Sequence, residues 1–156
     1  NKSNLVCDEA EKITKHFNKR DNLDLIYSFG VLHHSSSLKK CLNQIIKIMN
    51  KKTELKIMLY AKNSYKFYLM KKNLARYEAQ KNVPVIHFYD TDDISKIFNK
   101  FIIKEIYQDF IFPYSIPEYK KNKYIKVPHF KHMNKNIFNV LKKNLGEHLL
   151  ITLKKK

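Results

Sequence analysis

The spacing of apolar residues changes several times along the chain, and each change marks an element. Asp24-Leu-Ile-Tyr-Ser-Phe29 is an apolar run of strand length, closed by Gly30. Leu38, Cys41, Leu42, Ile45, Ile46 and Met49 then recur at three- and four-residue steps, the stripe of an amphipathic helix. Ser35 or Ser36 is placed to cap it, because a serine oxygen accepts from the free N–H groups of a first turn. Asn50 is its expected end. Leu55-Lys-Ile-Met-Leu-Tyr60 reads as a strand apolar enough to be covered on both faces. Ser64 caps the next helix, whose face carries Phe67, Met70, Leu74 and Tyr77, and Pro84 interrupts the chain after it.

Asp90-Thr-Asp-Asp93 combines a cap residue with carboxylates near the positive end of a helix dipole, so a helix starts there. Its stripe is Ile94, Ile97, Phe98 and Phe101. Residues 102–112 form a strand candidate. Residues 113–134 hold Pro113, Pro117 and Pro128 among tyrosines and lysines, and read as an excursion from the core. Ile137, Val140, Leu141 and Leu145 predict a last helix ended by Gly146, and His148 to Leu153 a final strand. Near the start, Asn4-Leu-Val-Cys7 is a short strand candidate, and residues 12–23 read as loop or short helix. Strands alternating with helices predict an α/β sandwich around a largely parallel sheet.

A chain of 156 residues, 44% of them hydrophobic, is expected to form one domain with a real core. No apolar run approaches the roughly 20 residues that span a bilayer, and no signal peptide opens the chain. A cytoplasmic location is expected. Cys7 and Cys41 lie far apart and suggest reduced thiols rather than a disulfide framework. The net charge of +17 draws attention to nucleic acid. Yet only Arg20 and Arg76 are arginines among the 31 basic residues, and the lysines are scattered along the chain. Specific phosphate or base recognition usually recruits the planar arginine fork, so nucleic acid is not the expected partner. Lys154-Lys155-Lys156 reads as a small basic tail.

His33 and His34 come soon after Gly30 and invite a metal or catalytic reading. Zinc needs three or four ligands in tetrahedral array, adjacent histidines rarely meet on one ion, and no partner cluster is visible. His129 and His132 are spaced i, i+3 but lack a further ligand. No metal site is expected. His34 is the candidate general base, since imidazole titrates near neutrality. The competing reading is that both histidines shape the turn and line a cleft. Ligands of open α/β sheets bind at the carboxyl ends of strands, where Ser28, Phe29, Gly30 and His33 fall.

The phrase Ser28-Phe-Gly-Val-Leu-His-His34, the amphipathic helix after it and Glu54-Leu-Lys-Ile-Met-Leu-Tyr60 resemble the second half of class I S-adenosylmethionine-dependent methyltransferases. The resemblance is greatest to the bacterial branch acting on small molecules. Leu145-Gly-Glu-His-Leu-Leu-Ile-Thr-Leu153 resembles the closing strand of such proteins. Asn4-Leu-Val-Cys-Asp-Glu-Ala10 resembles the end of the third strand, where an acidic residue accepts from the adenine amino group and the next backbone N–H meets the ring. Glu9 then takes the acidic position and Ala10 the next, with Asp8 as the alternative register. The likeness runs from about residue 4 to the end.

That resemblance implies S-adenosylmethionine as cofactor and Glu9, Ala10, Ser28, Phe29, Gly30 and His33 as cofactor-site residues. It implies a small-molecule acceptor, with Tyr60, Tyr65, Tyr77 and Arg76 as candidates to face it. It also implies that the strands at 24–29, 55–60, 148–153 and 102–110 lie in that spatial order, the antiparallel last strand inserted between its two predecessors. The family's glycine-rich turn after the first strand has no counterpart, because Gly30 and Gly146 are the only glycines. Nor does anything correspond to its first two strands. Residues 1–156 are therefore expected to be a partial, Rossmann-like domain from the third strand onward. Such a fragment is inactive alone, its first 23 residues are poorly anchored, and its candidate partner is the missing N-terminal half. The alternatives are an RNA methyltransferase and a non-catalytic remnant.

Overall fold

The structure is a computed structural model that describes residues 5–74 and 86–156. Asn4, Arg76, Tyr77 and Pro84 lie outside the described residues. Among the described residues, five strands and six α-helices appear in the order β1 (Leu25–Phe29), α1 (Leu38–Ile48), β2 (Glu54–Ala61), α2 (Tyr65–Lys71), β3 (Phe88–Tyr89), α3 (Thr91–Ile97), β4 (Phe101–Asp109), α4 (Ile116–Tyr119), α5 (Pro128–Lys131), α6 (Lys135–Leu145) and β5 (His148–Lys155). β1 and β2 are parallel, with Leu25 opposite Glu54 and Phe29 opposite Met58. The spatial order is β1-β2-β5-β4, and β3 pairs in parallel with the end of β2. β5 is antiparallel to both neighbours and lies between them, as expected. The fold is a mixed α/β sandwich whose other strands all run one way.

Strand alternation decides which side chains meet the helices. Leu55, Ile57 and Leu59 of β2 and Leu149, Ile151 and Leu153 of β5 share one face and are buried. They join Cys41, Leu42 and Ile45 of α1 and Ile94 and Phe98 at the end of α3 in a single core. The helix caps are those polar side chains can supply. Ser37 accepts from Lys40 N–H and starts α1, whereas the expected caps Ser35 and Ser36 donate to the Leu32 carbonyl, inside the preceding 3-10 turn Leu32–His34, and to the Glu11 carboxylate. Ser64 caps α2, and Asp90 with Asp93 forms a reciprocal capping box on α3.

The opposite face departs from expectation. β2 is not covered on both sides: Lys56 is exposed and Glu54 half-exposed, and only Met58 on that face is buried. Leu25, Tyr27 and Phe29 of β1 and Ile102 and Tyr107 of β4 are exposed beside them. The physical reason is that α1 and α3 both pack on the other face. α6 reaches the end of β4 through an ion pair of Lys142 Nζ with Asp109 at 3.0 Å, and leaves Ile137 and Val140 of its expected stripe in solvent.

The start of the chain also differs. Leu5, Val6 and Cys7 form no strand and are exposed, Leu5 at 95%, because no strand edge lies beside them among the described residues. Anchoring nevertheless begins well before residue 23. Ala10–Lys15 is a 3-10 helix whose Ala10 and Ile13 pack against the core. Thr14 donates to Gln44 at 2.9 Å and Thr53 Oγ1 to the Leu23 carbonyl at 2.7 Å.

β4 stops at Asp109 because Phe110 turns left-handed, at φ 69°. Gly146, just before β5, is required by contact rather than by dihedral angle. A Cβ there would stand 2.3 Å from the Asp109 carbonyl oxygen. Lys154 and Lys155 are the last residues of β5, not a free tail. Lys155 Nζ donates to the Ile46 and Met49 carbonyls at 2.8 and 3.1 Å, closing the C-terminus of α1. Lys156 Nζ donates to the Asn99 carbonyl.

Leu153→Ala removes a fully buried side chain from the central strand. We expect it to cost about 3 kcal/mol of stability in urea unfolding, within the usual range for Leu→Ala in a core. Val140→Ala, on the exposed face of α6, should stay within about 0.5 kcal/mol.

Candidate functional site

The carboxyl ends of β1 and β2 meet the 3-10 turn Leu32–His34 and the segment around Ala10, and three features gather there. The first is a cavity of about 420 Å³ lined by Glu9, Ala10, Glu11, Val31, His34, Ser35 and Ser36. The fold thus brings together Glu9, Ala10 and His34 of the sequence candidates. Asp8, the alternative to Glu9, turns away. It pairs with His16 Nε2 at 2.9 Å and accepts from Glu9 N–H at 2.8 Å, and the His16 contact holds its carboxyl below the usual range. Glu11 accepts from Ser36 Oγ at 2.5 Å and ties the two walls. Glu9 pairs with Lys12 at 3.1 Å and stays largely exposed.

Gly30 turns the chain out of β1 at φ 75°, a left-handed conformation that side chains rarely adopt. A Cβ there would meet nothing closer than Met58 Cε at 3.8 Å. Backbone conformation is therefore reason enough for this glycine. Ser28 does not reach the cavity. Its Oγ is buried on the core side, with no hydrogen-bond partner among the described residues. Phe29 points to the opposite face, edge-on to His148 with ring centroids 5.6 Å apart.

The second feature is a stack of rings. His33 is fully buried between His34 and Tyr60, with centroid distances of 4.1 and 4.0 Å. The backbone of Met58 lies near enough to favour a charged ring slightly, yet neither ring nitrogen makes a well-formed hydrogen bond among the described residues. Burial, with the neighbouring His34, pushes the His33 pKa down to about 4, so the ring is neutral. His148 continues the stack between Tyr60, at 6.1 Å, and Phe110, at 4.6 Å. Burial lowers its pKa too, against the opposing pull of Asp109. The sequence marks the His33 and His34 pair but not His148, whose ring partners lie far from it along the chain.

The third feature lies beyond the ends of β2 and β4. A cavity of about 490 Å³ is bounded by Tyr65 and Leu69 of α2, Phe112, Tyr114, Phe130 and Glu147 among others. Tyr65, a candidate to face a substrate, does line this cavity. His129 accepts from or donates to its hydroxyl at 3.1 Å. Glu147 carries no sequence signal beyond its place between Gly146 and the final strand. No group of three His, Cys, Asp or Glu side chains among the described residues is disposed to hold a metal ion. No helix of the described residues is long and apolar enough to cross a membrane.

No protein-family model matches the sequence, and a search of curated proteins finds no match. Solved structures do match the fold. An S-adenosylmethionine-dependent methyltransferase of Thermotoga maritima, described as a possible histamine N-methyltransferase, aligns with a TM-score of 0.60 at 14% identity, over 96% of this chain and 62% of its own. A protein described as a methyltransferase, in complex with the Haloferax volcanii Trm112 activator, aligns at 0.52 and 14% identity, over 90% of this chain and 57% of its own. A methyltransferase of Bacillus halodurans aligns at 0.59 and 13% identity, over 97% and 76%. The chain spans roughly three fifths of the length of the first two. At these identities the likeness is one of fold: this chain has the Rossmann-like fold of S-adenosylmethionine-dependent methyltransferases.

A neutral buried imidazole links stability to pH. His33 protonates more readily in the unfolded chain, whose pKa is near 6.5, than in the folded one, at about 4. Its contribution is complete above pH 6.5 and is lost as the pH falls toward 4. We expect a loss of at most roughly 3 kcal/mol over that window from this group, with His148 acting in the same direction. Melting temperatures from pH 7 to 5 should fall less steeply in His33→Phe than in the unsubstituted chain.

Proposed function

We propose that the chain is the C-terminal part of an S-adenosylmethionine-dependent methyltransferase acting on a small molecule. The observation that carries this reading is the cavity in which Glu9 and Ala10 face His34 at the carboxyl end of β1, within a fold shared with methyltransferases. The donor set suits the cofactor's adenine end. Glu9 offers only acceptors, which an exocyclic amine needs, and its carboxylate is exposed at the cavity wall. Ala10 brings backbone and no bulk. Phe29 and Gly30 shape the adjoining turn, and Ser28 and His33 support it from within. When bound, the cofactor supplies a methyl group already activated on a sulfonium. The chain's own work is then to position the acceptor and exclude water. His34 is the residue placed to hold a proton there; neutral His33 packs against it.

The acceptor site in this reading is the cavity beside Glu147, at the same end of the sheet. The glycine-rich turn and the ribose carboxylate of the family have no counterpart in residues 1–156. We assign them to further polypeptide, whose natural seat is the exposed face of β1 and β2 and the open edge of β1. The two free cysteines suit a reducing, cytoplasmic setting. The charge of +17 is the one observation that favours RNA as acceptor instead. A small RNA methyltransferase, HEN1, shares the fold at 8% identity.

Equilibrium dialysis with labelled S-adenosylmethionine tests the reading. These 156 residues alone should show no measurable affinity, and the chain extended by its upstream coding sequence should bind. In the extended protein Glu9→Gln should weaken binding about tenfold, the worth of one hydrogen bond to a charged acceptor. Tight, saturable binding by the 156 residues alone would overturn the partial-domain reading, and no binding by the extended protein would favour a remnant.

A further inference from the structure

The Glu147 cavity holds a carboxylate where a protein seldom leaves one. The residue is 6% exposed, and its Oε1 accepts from Phe112 N–H at 3.1 Å. It makes no other side-chain hydrogen bond or ion pair among the described residues. Its other oxygen has no protein partner among the described residues but stays open to solvent through the cavity, so water or a ligand completes it. The fixed surroundings are aromatic. Phe112 packs edge-on to Tyr114 with centroids 5.7 Å apart, and Tyr65 packs edge-on to Phe130 at 5.6 Å. Aromatic side chains and one acidic group thus line the same cavity. A cation is drawn to the carboxylate and to the negative face of a ring, whereas an anion is repelled by both.

We propose that this cavity binds a small organic ammonium compound, its charged nitrogen on Glu147 and its apolar body against the rings of Tyr65, Phe112 and Tyr114. That the bound compound is also the methyl acceptor rests on the methyltransferase reading above, where its nitrogen would first give a proton to the Glu147 carboxylate and so present a lone pair; the binding itself does not rest on that reading. The volume, about 490 Å³, lies in the range of small-molecule sites. Burial raises the Glu147 pKa, and the Phe112 N–H and, less strongly, Lys66 on the cavity wall oppose it. The Lys66 ammonium competes for the same carboxylate field, so it sets how strongly an incoming amine is held. An arriving ammonium favours the ionised carboxylate and displaces any proton on it to solvent.

Calorimetry on the 156-residue chain without cofactor decides it, with 2-phenylethylammonium as probe and 2-phenylethanol as its neutral counterpart. The amine should bind at least about tenfold more tightly than the alcohol. Glu147→Gln keeps an acceptor for Phe112 N–H and should abolish that preference, with the melting temperature reporting that the variant folds. Lys66→Met should tighten the amine and leave the alcohol unchanged, a result that a merely structural Glu147 would not give. Equal affinities for the two probes, no amine binding up to about 10 mM, or an amine preference that survives in Glu147→Gln overturns the proposal. An amine preference alongside an extended protein that fails to bind S-adenosylmethionine would leave the cavity assignment standing and remove the methyltransferase reading; cofactor binding without the preference would do the reverse.

Discussion

The antiparallel insertion of β5 is the constraint on which the remaining structure depends. β5 pairs along Glu54–Tyr60 on one side and along most of β4 on the other, so it joins the two halves of the sheet. Its Leu149, Ile151 and Leu153 complete the core face that α1 and α3 cover. Its first residue, His148, stands in the ring stack, and the residue before it, Glu147, stands in the larger cavity. The single glycine between α6 and β5 permits this by letting backbone pass the Asp109 carbonyl where no Cβ fits. The sheet, the core, the ring stack and the larger cavity therefore converge on residues 146–155.

The core face of this fold is legible in the sequence, and the opposite face much less so. The stripe of α1 and the capping box of α3 are local signals, spaced by the helix itself, and the structure keeps them. The place of β5 is readable only through the resemblance, since pairing between distant segments leaves no local mark. β3 escapes a sequence reading because a two-residue strand has no period to detect. Whether an apolar strand is covered on one face or two depends on where the helices go. That is why β2 reads as buried and yet turns Lys56 to solvent.

Around the candidate site the same division holds. His34 stands out from residue order, Glu9 and Ala10 only through the resemblance, and the three share a cavity. Ser28, Phe29 and His33 come from the same phrase but diverge. Successive strand residues point to opposite faces, and His33 is drawn inward by its ring contacts. Glu147 is invisible in the sequence. Its importance lies in burial, and an isolated glutamate between a glycine and a histidine looks like any turn residue.

The lysine that closes α1 has a practical bearing on how this protein can be handled. Lys155 stands at the end of β5, yet its ammonium satisfies two carbonyls at the end of a helix more than a hundred positions earlier. The end of β5 is thus a clasp across the fold. An affinity handle fused there, or a trimming protease acting there, would loosen the end of a helix that covers the core.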